Sequence, residues 1–357
     1  MSLFRSIRFC WLLLPLLAGC GKDSYPEEKR PDISFSPGVT VETKTGSAKP
    51  NDQSVLIADG KQISLFGQLV LNEGEQNESV TPIFNNRILA CSGSQGNYSW
   101  SYSPLQYWEE EGHYYFAAVY PYHASNVSIG NEGNAFFINA LYRAGENNDL
   151  MVARSHRDMD SSIDKSTVPL TFKHACSAVR FLFGKESTDP TADEFTLTDF
   201  SLSGLSVSGT LRVQAQMTSN PDVSSGNHDA AYWIPGSIGS LFSWTADTPA
   251  ARKNIPHPSV AHDPDGYLQM GWYYMVPQTL ANTAAVTFSI SYSGQSPMTT
   301  EFVITDRDGT PGADTWEPNQ VYNYYITITE SGLNLSVVAT PWDNVNVSTD
   351  DIVFMPS

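Results

Sequence analysis

Gln320-Val321-Tyr322-Asn323-Tyr324-Tyr325-Ile326-Thr327-Ile328-Thr329 is the stretch from which the architecture is read. Tyr324, Ile326 and Ile328 alternate with Tyr325, Thr327 and Thr329, a period of two that belongs to a strand with one face buried. Aromatic and β-branched residues fill the run, and these fit a pleated, half-buried surface. Similar runs recur at Ile63 to Leu71, His113 to Tyr120, Val168 to Phe183, Phe195 to Leu202, Ala285 to Tyr292 and Glu301 to Thr305. Turn pairs such as Asp265-Gly266, Ser293-Gly294 and Asp308-Gly309 lie between or beside them. Helical candidates are scarce, and Ala135 to Arg143 is the one stretch expected to form a short helix. The expected fold is all-β, built as sandwiches.

The chain has 357 residues, more than one ordinary core accommodates, so two domains are expected. The polar stretch His156-Arg157-Asp158-Met159-Asp160-Ser161-Ser162 reads as a turn. It separates an N-terminal sandwich at 33–160 from a C-terminal one at 166–357, which opens with Val168-Pro169-Leu170-Thr171-Phe172. No fixed-period repeat is visible, which argues against a solenoid.

The first residues give an address. Arg5 and Arg8 precede the apolar run Phe9 to Leu17, which is too short to span a bilayer as a mature helix. Leu17-Ala18-Gly19-Cys20 then resembles the bacterial lipobox, which makes residues 1–19 a lipoprotein signal peptide and Cys20 the lipidation site. Fatty chains such as palmitate on that terminus would anchor it in the outer membrane, each buried methylene contributing roughly 0.8 kcal/mol. Residues 20–32, polar and carrying Pro26 and Pro31, read as a tether. Its acids Asp23, Glu27 and Glu28 are similar to signals that send lipoproteins to the cell exterior.

The formal net charge is −18, and loss of the signal peptide at 1–19 would remove two arginines and no acid. So acidic a surface repels nucleic acid and anionic headgroups, and neither is expected as a partner. Cys91 and Cys176 remain once Cys10 and Cys20 are set aside; two buried free thiols are expected, with a single bridge as the alternative.

Motifs for catalysis are missing: there is no Gly-x-Ser-x-Gly, His-Glu-x-x-His, phosphate-binding glycine loop or Cys-x-x-Cys. Glu109-Glu110-Glu111 reads as a solvated run. His257 and His262 with Asp263 and Asp265 invite a metal reading, but Asp263-Pro264-Asp265-Gly266 is turn chemistry. Asp306-Arg307-Asp308-Gly309 lacks the later ligands of a calcium loop. His174 is expected as a hydrogen-bonded core histidine. No enzyme activity, cofactor or metal is expected. The competing function is glycan binding on exposed aromatic rings, with Trp100, Tyr102, Tyr107 and Trp108 as one cluster and Trp233, Trp244, Trp272, Tyr273 and Tyr274 as others.

Four stretches carry a resemblance. They are Tyr114-Tyr115-Phe116-Ala117-Ala118-Val119-Tyr120-Pro121, Asp149-Leu150-Met151-Val152-Ala153 and Leu170-Thr171-Phe172-Lys173-His174-Ala175-Cys176-Ser177-Ala178-Val179. The fourth is Trp316-Glu317-Pro318-Asn319-Gln320-Val321-Tyr322-Asn323-Tyr324-Tyr325-Ile326-Thr327-Ile328 with the later Trp342. In this order, behind a lipobox, they resemble the fimbrillin-type (Mfa-like) pilus proteins of Bacteroidetes. The resemblance implies two transthyretin-like β-sandwiches in tandem and a structural or anchoring role in a cell-surface fimbrium used in cell adhesion. Its partners would be other fimbrial subunits, the outer membrane through the N-terminal lipid, and ligands on host or bacterial surfaces.

The resemblance also implies assembly by strand exchange, in which a protease removes an N-terminal strand and a neighbour's strand fills the groove. Physically this is strand addition to an exposed sheet edge. The expected removable strand is Ile33 to Val41, whose Ile33, Phe35, Val39 and Val41 share one face. Glu42 to Gln53 reads as a protease-accessible loop. In it Lys49 precedes Pro50, so Lys44 is the expected cleavage site. A loop without arginine departs from the Arg-directed cut of shaft subunits and favours an uncut anchor or accessory subunit. The expected donor is Leu333 to Phe354, with Leu335, Val337, Val345, Val347 and Ile352 as apolar pegs.

Overall fold

The computed structural model describes residues 30–39, 56–94, 97–132, 135–144, 149–159, 165–186, 195–215, 230–293, 295–305, 314–329, 332–342 and 353–354. Cys20, Val41, Lys44, Val345, Val347 and Ile352 lie outside them, as does Asp306 to Gly309.

Nine strands come first: β1 (Phe35–Val39), β2 (Gln62–Leu71), β3 (Ser79–Ser94), β4 (Asn97–Ser101), β5 (Gly112–Tyr120), β6 (Val127–Glu132), β7 (Ala135–Arg143), β8 (Met151–Met159) and β9 (Val168–His174). There follow β10 (Ser177–Lys185), β11 (Phe195–Ser203), β12 (Leu205–Ser206), β13 (Ser208–Gln214), β14 (Ala230–Pro235), β15 (Ile238–Gly239), β16 (Phe242–Thr245), β17 (Lys253–Asn254), β18 (Leu268–Gln269) and β19 (Tyr273–Met275). The last are β20 (Gln278–Thr279), β21 (Ala285–Tyr292), β22 (Met298–Val303), β23 (Thr315–Trp316), β24 (Gln320–Thr329), β25 (Gly332–Pro341) and β26 (Val353–Phe354). Short 3-10 turns at Pro249–Ala251 and Pro264–Gly266 interrupt them. The fold class is all-β.

A seven-stranded sheet, in the order β1-β9-β8-β5-β2-β3-β4, is the wall between two cores. Because successive side chains point to opposite faces, one strand feeds both. On β5, Tyr114, Phe116, Ala118 and Tyr120 enter the smaller core with Ile33, Phe35, Phe84, Trp108 and Phe172. Tyr115, Ala117 and Val119 enter the larger core with Phe181, Phe200, Phe288, Trp316 and Tyr324. Burial on both faces explains why β5 reads as an unbroken apolar run from Tyr114 to Tyr120. Gly67 permits this closeness: a Cβ there would stand 2.9 Å from Phe84 Cδ2 and 3.0 Å from Phe116 Cδ1.

Around the larger core lie sheets ordered β18-β10-β24-β25, β16-β11-β21-β22 and β26-β14-β13-β7-β6. The Gln320–Thr329 run is an inner strand, parallel to β10 on one side and antiparallel to β25 on the other. Trp316 and Trp342 are buried in that core.

Two sequence expectations are corrected. Ala135 to Arg143 is strand β7, because Phe136, Ile138, Ala140 and Tyr142 alternate into the larger core while Leu141 stays exposed. His156 to Met159 is the end of β8, paired with β5 from Tyr115↔His156 to Gly112↔Met159, so it is no turn. Pairing also crosses the segment expected to divide the chain. β9 joins β8 at Met151↔His174 and Val152↔Lys173, and its Val168, Leu170 and Phe172 share the core of Ile33 and Phe35. β7 in turn ladders with β13 from Phe137↔Gln214 to Arg143↔Ser208. Cys91 and Cys176 are free and buried.

Candidate functional site

β1 occupies one edge of the seven-stranded sheet and runs parallel to β9, from Phe35↔Val168 to Val39↔Phe172. Ile33 and Phe35 are buried, as is Pro37, while Ser36 is exposed, so alternation delivers the odd positions inward. Phe35 is the central peg. Its ring meets Phe116 at 5.2 Å, Phe84 at 5.7 Å and Tyr102 at 6.0 Å between centroids, each close to edge-on, the geometry that aromatic quadrupoles favour.

The segment before β1 is held from the other side. Ile33 N–H donates to Gln106 O at 2.9 Å and Trp108 N–H to Pro31 O at 3.1 Å. Tyr102 Oη donates to Ile33 O at 2.6 Å, and burial pushes the Tyr102 hydroxyl pKa up, so it keeps its proton. Ser34 Oγ and Thr167 Oγ1 are 3.0 Å apart. Arg30 pairs with Glu109 at 2.5 Å, but both are more than half exposed, so the pair contributes little. The strand thus lies in a groove between β9 and the 102–108 segment, with two apolar pegs each worth about 1.5–3 kcal/mol of burial.

Part of the expected glycan platform is the wall of this groove. Trp108 is fully buried against Tyr114 and Phe116, and Tyr102 is half-buried beside Phe35. Trp100 packs half-buried on the same core, and Tyr107 alone of the four is exposed. Trp233, Tyr273 and Tyr274 are core residues. Trp244 and Trp272 are half-buried beneath Lys253 and Arg180, at 5.3 and 4.3 Å. Sandwich packing took Trp108, Trp233, Tyr273 and Tyr274 inside, so these four rings offer no stacking surface.

At the other end of the chain, Leu335 and Val337 lie in β25, antiparallel to β24 from Gln320↔Pro341 to Thr329↔Gly332. They are half-buried because β25 is the outer strand of its sheet. After it, Trp342 is buried. The structure therefore brings Ile33 and Phe35 together in a groove, and seats Leu335 and Val337 in the chain's own sheet. Sequence reasoning missed the groove walls Phe84 and Phe116, whose roles depend on pairing between distant strands.

Three of the histidines weighed in the sequence are held by hydrogen bonds. His174 Nδ1 lies 2.6 Å from Asp149 Oδ2 in the buried junction. His257 Nδ1 donates to Lys185 O at 2.9 Å, and His262 Nε2 is 3.0 Å from Ser336 Oγ. Asp263 caps the Pro264–Gly266 turn by accepting from Asp265 N–H.

A fimbrillin-like family profile matches residues 45–342. A fimbrial protein from Bacteroides vulgatus has the same fold, with 15% identity, 87% of this chain and 99% of that chain covered, and a TM-score of 0.55. A fimbrial assembly protein from Parabacteroides distasonis is 10% identical over 87% of this chain and 99% of that chain, with a TM-score of 0.40. No curated protein matches. The family profile spans both cores and most of the strands that build them, so the chain belongs to the fimbrillin-like family.

Proposed function

We propose that this protein is a subunit of a cell-surface fimbrium, anchored in the outer membrane by lipid on Cys20, and that it joins its neighbours by strand exchange at the β1 groove. Its membership of the fimbrillin-like family and its likeness to a fimbrial protein support the fimbrial role. The observation that carries strand exchange is β1 itself. It is a five-residue edge strand, pegged by Phe35 into a groove whose walls are built from other strands. A groove with preformed pockets exchanges one apolar strand for another at small net cost, since backbone hydrogen bonds and apolar burial are replaced in kind. While β1 is in place the edge is covered, which guards the monomer against premature association.

The donor we propose is the tail beyond Trp342, with Val345, Val347 and Ile352 as pegs. For Leu335 and Val337 to serve, β25 would have to peel off a ladder ten residues long. Lys44, downstream of β1, is the proposed cut.

Limited Lys-specific proteolysis followed by size-exclusion chromatography tests the mechanism. Cleavage should produce oligomers, whereas a Lys44→Ala variant and a cleaved variant ending at Trp342 should stay monomeric. Cleaved wild-type protein that remains monomeric beside its partner subunits would reject exchange and leave an anchor or tip role. For the anchor, Cys20→Ala should abolish partition into detergent; unchanged partition removes the lipid from the account.

A further inference from the structure

Strand alternation puts His156 and Asp158 on one face of β8, and the β5–β8 register sets His113 opposite Asp158 and Tyr115 opposite His156. Asp158 Oδ1 lies 2.6 Å from His113 Nδ1 and 2.5 Å from His156 Nε2. Glu73, in the turn after β2, places Oε2 3.7 Å from His113 Nδ1 and accepts a hydrogen bond from Tyr115 Oη at 2.7 Å. The ring of Tyr115 stacks on His156, centroids 5.1 Å apart and planes 17° from parallel.

We propose that His113, His156 and Asp158 form a binding site for a divalent transition metal of the Zn2+ type, with Glu73 as a fourth ligand. One ligand atom from each of the first three lies within 4.8 Å of the others. Zinc bonds to nitrogen and oxygen are about 2.0–2.2 Å, so small side-chain rotations close the atoms around a common centre. Two imidazoles with one or two carboxylates suit zinc, whereas calcium and magnesium take oxygen ligands. Tyr115 orients two of the four groups, Glu73 by a hydrogen bond and His156 by stacking, the kind of outer support that metal sites use. The His113 and His156 side chains are 38% and 25% exposed, so a cation reaches them from solvent. A bound ion would clip the β2–β3 turn to β5 and β8.

Isothermal titration of the purified protein with ZnCl2 tests this, with MgCl2 and CaCl2 as comparisons. One zinc per chain should bind, with affinity reduced at least tenfold in His113→Ala/His156→Ala and unchanged in His257→Ala/His262→Ala. Circular dichroism of the metal-free variants reports folding. If the first double variant is unfolded, Asp158→Asn, a change of nearly equal size at an exposed carboxylate, should show the same loss. Wild-type protein that binds no zinc, or equal affinity in the wild type and Asp158→Asn, overturns the site and leaves a hydrogen-bonded His-Asp-His group.

Discussion

Trp342 lies flat on His174, with ring centroids 3.8 Å apart and planes 5° from parallel. It also stacks with Tyr274 at 5.8 Å, while His174 is hydrogen-bonded to Asp149 in the strand approach to β8. His174 ends β9 of the seven-stranded wall, and Trp342 follows β25 of the sheet β18-β10-β24-β25, so this stack fastens β25 to that wall. Trp233 reinforces the junction by donating from Nε1 to Ala175 O at 2.8 Å. Trp342→Ala should therefore cost about 3–5 kcal/mol, the range for a buried ring cut to a methyl group. Urea denaturation measures it, and a loss below about 1 kcal/mol would show that the stack holds nothing.

Phe35→Ala should cost a similar ~3–5 kcal/mol, because it empties the pocket of Phe84, Tyr102 and Phe116. Ser36→Ala, one residue on and facing solvent, should stay within about 0.5 kcal/mol. Comparable losses in both would mean that β1 is held by its backbone alone and that Phe35 is no peg.

Phe172 and Ile326 report on the two cores separately, since the first lies in the smaller and the second in the larger. Each cut to Ala should cost about 3 kcal/mol by chemical denaturation. A strand-dominated circular dichroism spectrum should persist in both variants at low temperature; a helical one in the wild type would contradict the fold.

Cys91 and Cys176 should resist labelling by a thiol reagent in the native protein starting at Gly21, and both should react at once in guanidinium. Burial pushes both thiols up, Cys176 the further, and the reactive species is the thiolate. Rapid stoichiometric labelling under native conditions would show that one of them is exposed in solution.

The acid limb of stability should carry a mark of Asp158. Its folded pKa is depressed below the ordinary 3.8, so the stabilisation is present above that value and is lost as pH falls through the folded one. In EDTA, the urea midpoints of the wild type and Asp158→Asn should differ at neutral pH and converge as pH drops well below 4. A constant difference down to pH 2 would place the effect of the substitution elsewhere.

How much of this was legible depends on whether the signal is local. The alternation in Gln320–Thr329 belongs to a single strand, and it read through to an inner strand of the larger core. Ala135–Arg143 carried the same signal at Phe136, Ile138, Ala140 and Tyr142, but Ala135, Ala140 and Leu141 are strong helix formers and hid it. Polarity alone reads His156 and Asp158 as a turn, whereas in a strand their spacing of two puts them on one face.

The sequence by itself determined that the chain is β throughout and acidic, because period and charge are properties of neighbouring residues. Only the tertiary structure decided that Phe35 pairs with Val168, that Trp108 lies inside a groove instead of on a surface, and that Asp158 sits between His113 and His156. The physical reason is that alternation gives each strand two faces without saying what either face meets. Pairing and register are settled by burying apolar side chains between segments far apart in the chain, and each functional residue takes its neighbours from that choice.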